Sequence, residues 1–260
     1  MTSKKLIIGA IAGDIIGSVF ERNNVKSISF DLFCPQSVFT DDSVLTLAAM
    51  YALHNDIGYA QAYRTFGRKY PKAGYGYNFH LWISSDNPKP YNSWGNGSAM
   101  RVSPIGWFYN NIDDVLLEAK KSAEVTHNHP EGIKGAQAVA AAVFFARNGK
   151  SKNDIKIFIK DKLGYDLERT IADIRPDYKF DVSCQGSVPQ AIIAFLESTD
   201  FENAIRLAVS IGGDSDTIAC IAGGIAEAFY QYIPDEIKDN VLNILPGELI
   251  RIIEEFSNKF

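Results

Sequence analysis

"IGGDSDTIACIAGG", residues 211–224, decides how this chain is read. A glycine pair precedes two carboxylates, Asp214 and Asp216; Thr217 follows, and then the chain turns apolar and small. The run "DTIACIAGGIAEAFYQYI" (216–233) is too long for a strand and reads as a buried helix that Pro234 helps to stop. Two aspartates therefore stand at the start of a core helix, although aspartate is a poor helix former and costly to bury alone. The plain explanation is capping, in which Asp214 accepts hydrogen bonds from the free N–H groups of the first turn. A cap needs one oxygen, so it leaves the second carboxylate unexplained. Two like charges at ~4 Å repel by roughly 4 kcal/mol at an effective dielectric of about 20.

Outward from this segment, most of the chain reads as helix. The pattern predicts helices over 5–20, 41–55, 114–127, 132–149 with Gly149 as a C-terminal cap, 153–164, 188–198 and 201–211. "PDEIKDNVLNI" (234–244) and "PGELIRIIEEFSNKF" (246–260) both open on proline, which suits a first helical turn. "SISF" (27–30) is a short strand signal, and no β-α alternation follows it. The stretches 70–104 and 165–187 read as long irregular loops; the first is dense in Gly, Pro, Asn and aromatics, which argues for function over disorder. No linker or fixed-period repeat divides the chain. The expectation is one mainly α-helical domain over residues 1–260.

Hydrophobic residues make up 46% and charged residues 22%, enough to bury a sizeable core. The net charge of -5 leaves no basic excess to neutralise phosphates, so nucleic-acid binding is not expected, whereas a local pocket for a small phosphorylated ligand is allowed. Cys34, Cys184 and Cys220 are widely spaced and read as reduced thiols of a cytoplasmic protein. Lys4 and Lys5 before the apolar run Leu6–Ala12 imitate a signal peptide, but Asp14 interrupts the run and no clean cleavage site follows. No segment reads as a membrane helix. The sequence does not fix an oligomeric state.

Two further acidic clusters share the style of the first. "FTDDSV" holds Thr40, Asp41 and Asp42, again at the start of an apolar helix, and "GDIIGSVFE" holds Asp14 and Glu21. A hard divalent cation would turn mutual repulsion into binding, and it takes carboxylate and hydroxyl oxygens of this kind. No Cys or His accompanies them, which disfavours zinc. An EF-hand loop would need an acidic or amide residue at Ile218 and glycine at Ala219. Asp214 and Asp216 also resemble the D-x-D of haloacid-dehalogenase-like phosphatases, but that motif follows a strand near the start of a Rossmann-like domain.

"WGNGSAMR" (94–101) offers backbone N–H groups that Gly95 and Gly97 would leave open to a ligand, a weak phosphate signal. "THNHPEG" (126–132) carries His127 and His129; a helix end with local hydrogen bonds is favoured over a metal site, and a histidine at a phosphate or ribose is allowed. The chain has neither a G-x-S-x-G elbow nor a P-loop.

Taken together, "GAIAGDIIGSVFE" (9–21), "FTDDSVLTLA" (39–48), "WGNGSAMRVSPIGWFY" (94–109), "THNHPEGIKGAQAVAAAVFFA" (126–146), "CQGSVPQAIIAFLES" (184–198) and "IGGDSDTIACIAGGIAEAFY" (211–230) resemble the ADP-ribosylglycohydrolase family, in the family's order and over nearly the full length. The resemblance implies an all-α orthogonal helical bundle with a central binuclear site for two Mg2+, or Mn2+, ions. It implies Thr40, Asp41, Asp42, Asp214, Asp216 and Thr217 as metal ligands, and Glu21, Asp41 or Asp42 as the group assisting proton transfer. Asp14 is expected to act as a structural acceptor behind the ligands. Asn96, Gly97, Ser98, Ala99, Met100 and His127 are implied as contacts to the ribose and diphosphate, with the 165–187 loop closing the adenosine end.

The implied reaction is metal-dependent hydrolysis of the bond between ADP-ribose and a protein side chain or small conjugate, with ADP-ribosylarginine the first expectation. Serine-linked ADP-ribose, O-acetyl-ADP-ribose and poly(ADP-ribose) stand beside it. The rivals are an inactive ADP-ribose-binding or structural family member, and a phosphohydrolase using the same metals on a nucleotide or sugar phosphate.

Overall fold

The computed structural model describes residues 6–260, and no strand occurs among them. The helices run α1 (Gly9–Gly17), α2 (Asp41–Asn55), α3 (Tyr59–Lys69), α4 (Tyr77–Ser84), α5 (Ser103–Phe108), α6 (Ile112–Glu124), α7 (Pro130–Arg147), α8 (Lys152–Leu163), α9 (Ile171–Ile174), α10 (Cys184–Glu197), α11 (Phe201–Ile211), α12 (Ser215–Tyr230), α13 (Asp235–Ile244) and α14 (Gly247–Ser257). A single 3₁₀ turn, Asn96–Ser98, lies between α4 and α5. None of these helices is long and apolar enough to cross a membrane.

The expected all-α class is what the chain adopts. Helices α2 and α11 have the predicted bounds. Helix α7 ends at Arg147, and Gly149 follows with φ 73°, the left-handed conformation of a C-terminal stop. Helix α12 stops at Tyr230, short of the predicted end, because Gln231 turns left-handed with φ 55°. The helix predicted over 5–20 is α1; Lys4 and Lys5 lie outside the described residues.

Some expectations fail for physical reasons. Residues 27–30 form bends, and Arg206 Nη1 donates to the carbonyls of Ile28 and Phe30, where a partner strand would have been needed. The 70–104 stretch is not simply irregular, since it holds α4, the 3₁₀ turn and the start of α5. Helices α3 and α4 escape the periodic reading because tertiary packing supports them: α4 buries Phe79, Trp82 and Ile83, and α3 buries Tyr63 and Phe66. Helix α10 begins four residues before the predicted start, with the Ser183 side chain accepting from the N–H of Gly186, and it accommodates Pro189 inside. The cost is a backbone hydrogen bond that Pro189 cannot donate.

Helices α1 and α12 form the centre and run antiparallel. The register follows from near contacts: a Cβ on Gly9 would meet Glu227, on Gly13 the Ala219 carbonyl, and on Gly17 the Cα of Asp216. At Gly13 that distance would be 2.0 Å, so only glycine allows the two backbones to touch there. Each helix end is then tied across the pair. The Glu227 carboxylate accepts the N–H groups of Ile8 at 3.0 Å and Gly9 at 2.8 Å, satisfying the start of α1, whose N-cap residue Ile8 has no capping side chain. At the other end, the acidic start of α12 is pressed against the last turn of α1.

Candidate functional site

The glycine pair Gly212 and Gly213 carries φ of 76° and 71°, so the chain leaves α11 through two left-handed residues and reverses into α12. The Asn24 side chain holds this turn, accepting from the Gly213 N–H at 2.8 Å and donating to the Gly213 carbonyl at 3.0 Å. It also donates to the carbonyls of Phe20 and Glu21, which ties the turn to the Glu21 segment. Asp214 occupies the N-cap position of α12, but its side chain makes no capping bond. Instead Asp214 Oδ2 accepts from Asn96 Nδ2 at 2.6 Å, and Asn96 Nδ2 also donates to Ser187 Oγ at 2.9 Å. The capping expectation fails for Asp214 because Asn96, on a separate loop, takes its oxygen.

At α2 the cap is real and doubled. Thr40 accepts from the Asp42 N–H at 3.3 Å. Asp14, on α1, then holds Thr40: Asp14 Oδ2 accepts the Thr40 N–H at 2.9 Å and Oδ1 accepts the Thr40 hydroxyl at 2.6 Å. Ser43 adds its N–H at 3.1 Å and a short hydroxyl bond to Asp14 Oδ2. Asp14 is thus the buried acceptor that fixes the start of α2.

The two helix starts meet. Thr217 Oγ1 donates to Asp42 Oδ2 at 3.2 Å. The carboxylates of Asp14, Asp42 and Asp216 lie with oxygens within 4.8 Å of one another, all buried. No ion pair of the described residues involves any of these groups. Charges that close repel by roughly 3–4 kcal/mol per pair at an effective dielectric of about 20. The carboxyls are accordingly pushed towards their protonated forms. Burial, opposed by bonds from Ser43 and Thr40, lifts Asp14 to about 6. Burial, then the charges of Asp14 and Asp214, lifts Asp41 to about 8. Asp42 and Asp216 are driven well above the usual carboxylate range by burial first and neighbouring aspartates second. Asp214 rises by burial, offset by bonds from Asp216, Asn96 and Thr217. Glu21 rises by burial and then by the Asp214 charge.

A cavity of about 400 Å³ opens onto this cluster. Of the residues expected at a site, it brings together Glu21, Thr40, Asp41, Asp42, Asn96, Gly97, Met100, His127, Asp214, Asp216 and Thr217. It does not bring Ser98 and Ala99 to the lining. The 3₁₀ turn rotates Ser98 inward, where its hydroxyl donates to the Gly132 carbonyl at 2.7 Å, and Ala99 is fully buried. The loop also offers fewer open amides than expected: the Asn96 N–H goes to the Val182 carbonyl, and those of Ala99 and Met100 go to the Asn96 carbonyl. The two long loops meet at the mouth, where the Cys184 N–H also bonds to the Trp94 carbonyl and exposed Phe180 and Val182 line the rim with exposed Tyr77.

His127 behaves as the helix-end reading expects in part: Thr126 Oγ1 and His127 Nδ1 are 2.7 Å apart, and Pro130 opens α7. Its partner in the H-x-H pair, His129, caps α7 by accepting the Glu131 N–H at 3.1 Å. Two residues of the site went unread in the sequence. Asn24 shows no motif, and Arg101, the last residue of "GNGSAMR", is fully buried at the cavity wall with Nε and Nη1 unpartnered.

The donor set fits hard cations. It consists of carboxylates and threonine hydroxyls, it has no basic counter-charge, and Asp42 Oδ1 is buried with no hydrogen-bond partner. That orphaned oxygen is the local sign that the cluster is built around a cation.

Comparison with known proteins agrees with this architecture. The family model described as ADP-ribosylglycohydrolase matches residues 3–260. The chain is 26% identical to mouse (Mus musculus) ADP-ribosylhydrolase ARH3, covering 96% of this chain and 91% of that protein. It is 27% identical to the human (Homo sapiens) ADP-ribosylhydrolase ARH3 over 86% of this chain and 84% of that one. A solved structure described as an ADP-ribosylglycohydrolase-related protein complex shares the fold with a TM-score of 0.70 at 22% identity, over 97% of this chain and 95% of that chain.

Proposed function

The chain belongs to the ADP-ribosylglycohydrolase family, and from that premise we infer that it is a metal-dependent hydrolase releasing ADP-ribose from a modified side chain or small conjugate. The observation that carries the reading is the convergence of the α2 and α12 starts, with the buried Asp14, Asp42 and Asp216 carboxylates and the orphaned Asp42 Oδ1, at the floor of one cavity. The family match from residue 3 to residue 260 supports treating these residues as one domain. The relatives' names give ADP-ribosyl hydrolysis without a linkage, so the expectation of an arginine linkage gains no support from them and the serine linkage stands equal to it.

Thr40, Asp41, Asp42, Asp214, Asp216 and Thr217 would hold divalent cations, with two Mg2+ ions as the first candidates. Such ions supply charge that orients ribose hydroxyls and makes bound water more acidic. The remaining work falls to the chain. Asn96 holds Asp214 in place through its 2.6 Å bond. Gly97 and His127 face the part of the cavity suited to a diphosphate, and the exposed rings of Tyr77 and Phe180 give flat faces for a base at the rim. Glu21, half-buried with its carboxyl raised, is placed to take a proton from the attacking water or to return one to the leaving atom. The bond cleaved is the one at the anomeric carbon of the ribose.

Arginine- and serine-linked ADP-ribosyl substrates, incubated with the protein in magnesium or in EDTA and followed by mass, test the reading. Release of intact ADP-ribose only with metal supports it, and the faster substrate names the linkage. Tight ADP-ribose binding without turnover would make the chain an inactive family member. Free phosphate as the product would replace the glycosidase reading with a phosphohydrolase.

A further inference from the structure

Arg101 is fully buried yet forms no ion pair among the described residues. Its guanidinium lies over the Tyr63 ring at 4.2 Å from the centroid. Nη2 donates to the Ser122 carbonyl at 2.8 Å and to Thr126 Oγ1 at 3.0 Å. Arginine has donors only, so the direction of the Arg101–Thr126 bond is fixed. The Tyr91 hydroxyl also hydrogen-bonds the Thr126 side chain. With Thr126 Oγ1 accepting from Arg101, its one hydrogen is free to go to the atom 2.7 Å away, His127 Nδ1. A ring nitrogen that accepts carries no proton, so the proton of the neutral ring sits on Nε2. That nitrogen faces the cavity: a Cβ on Gly97 would lie 3.3 Å from it and one on Gly95 3.5 Å. No partner for Nε2 exists among the described residues, although His127 is only 5% exposed.

We propose that Arg101 and Thr126 are positioning residues that fix His127 as a neutral ring with its proton on Nε2, aimed into the cavity to donate to an anionic oxygen of the ligand, the diphosphate of ADP-ribose. The inference rests on the reading of the cavity as an ADP-ribose site. Arg101 acts twice, by setting the bond direction and by opposing a second positive charge beside it; burial works the same way and holds the His127 ring well below its ordinary pKa. No carboxylate bonds either ring nitrogen to counter this, and the ring that packs beside it, Tyr91 at 5.9 Å, is a neutral phenol.

The tautomer is measurable on the free protein. Long-range nitrogen–proton correlation spectra at pH 7 should show His127 with a bare Nδ1 and a protonated Nε2, and the same pattern in Thr126→Ser, which keeps the hydroxyl. Thr126→Val, which removes it, should lose the single tautomer and bind ADP-ribose roughly 10- to 100-fold more weakly by calorimetry, with Thr126→Ser close to the parent. A proton on Nδ1, or a charged ring at pH 7, overturns the proposal with or without ligand, even if Thr126→Val does not fold. An unchanged affinity in folded Thr126→Val overturns it as well. If the parent protein binds no ADP-ribose while the spectra show the Nε2–H form, the positioning network stands and the reading of the cavity fails.

Discussion

The Thr217 hydroxyl reaches the Asp42 carboxylate at 3.2 Å, joining the start of α12 to the start of α2 across 175 residues of chain. On Asp42 this bond occupies one oxygen, shared with a longer contact from Thr40, and the other oxygen is left buried without a partner. A buried orphan carboxylate oxygen is expensive unless something absent from the polypeptide occupies the gap. The predictions below follow from that imbalance.

Asp42→Asn should separate stability from function. Removing the charge relieves repulsion with Asp14, Asp41 and Asp214, so the metal-free variant should melt above the metal-free parent at pH 8. The same change should abolish the rise in melting temperature caused by added Mg2+. Hydrolysis should fall by at least the roughly 10- to 100-fold that loss of a metal's outer-shell partner costs. Paired thermal melts with and without Mg2+, and a hydrolysis assay, check this. A variant that keeps the full Mg2+ response would remove Asp42 from the ligand set.

Stability of the metal-free protein should fall as pH rises from about 6.5 to about 8.5. Asp14 and Asp41 have folded values of about 6 and about 8, above their unfolded value of 3.8, so the native state binds more protons and loses that advantage as pH climbs through each value. His127 works in the opposite sense, because its folded value is depressed; its stabilising effect is complete once pH passes its ordinary 6.5, which sets the lower edge of the window. Each kcal/mol lost should lower the melting temperature by about 2–4 °C. Mg2+ competes with protons for the same oxygens, so its stabilising shift should be larger at pH 8.5 than at pH 6.5. Melts at four conditions decide it; a shift equal at both pH values would show that the cation does not bind these carboxylates.

The sequence exposed the ligand types because acidic and hydroxyl side chains stand at two helix starts, a pattern that needs no tertiary information. It did not expose what holds them. Asp14 bonds residues 26 and 29 positions away, and Asn24 bonds one 189 positions away, and such pairings leave no periodic trace. Arg101 reads as a surface residue in "GNGSAMR" and is recognised only once it is found fully buried over Tyr63. Ser98 and Ala99 were over-read for a related reason: a motif does not say which of its side chains a 3₁₀ turn will point inward. Helices α3 and α4 were missed because their aromatic residues gain helical order from packing on each other.

Gly17→Ala should damage the site without touching a ligand. A Cβ there would lie 2.4 Å from the Cα of Asp216, a backbone atom that cannot step aside alone. The start of α12 must move, at an overpacking cost of about 1–3 kcal/mol. The melting temperature should fall, and the Mg2+-induced shift should shrink because Asp216 moves relative to Asp42. Gly58→Ala, where the added carbon meets nothing within 4 Å, should change neither. Equal Mg2+ responses in the two variants would mean that the α1–α12 contact does not position the site.

Glu21→Gln should separate binding from chemistry. Glu21 lines the cavity but forms no bond that holds the fold together, apart from its backbone carbonyl, which accepts from Asn24 and is untouched by the substitution. Glutamine keeps the shape and removes the proton-carrying group. If Glu21 moves the proton, kcat should fall by roughly 100- to 10,000-fold, while ADP-ribose affinity and the Mg2+-induced melting shift stay near those of the parent. Burial and the Asp214 charge both raise the Glu21 carboxyl, so the parent's kcat should also respond to pH through a value above the ordinary 4.5 of glutamate, and that response should vanish in the variant. Steady-state rates across pH, with calorimetry on the same samples, measure both effects. An unchanged kcat would move the proton-transfer role to Asp41 or Asp42, the remaining carboxylates at the start of α2. Loss of the Mg2+ shift together with kcat would instead make Glu21 part of the cation site.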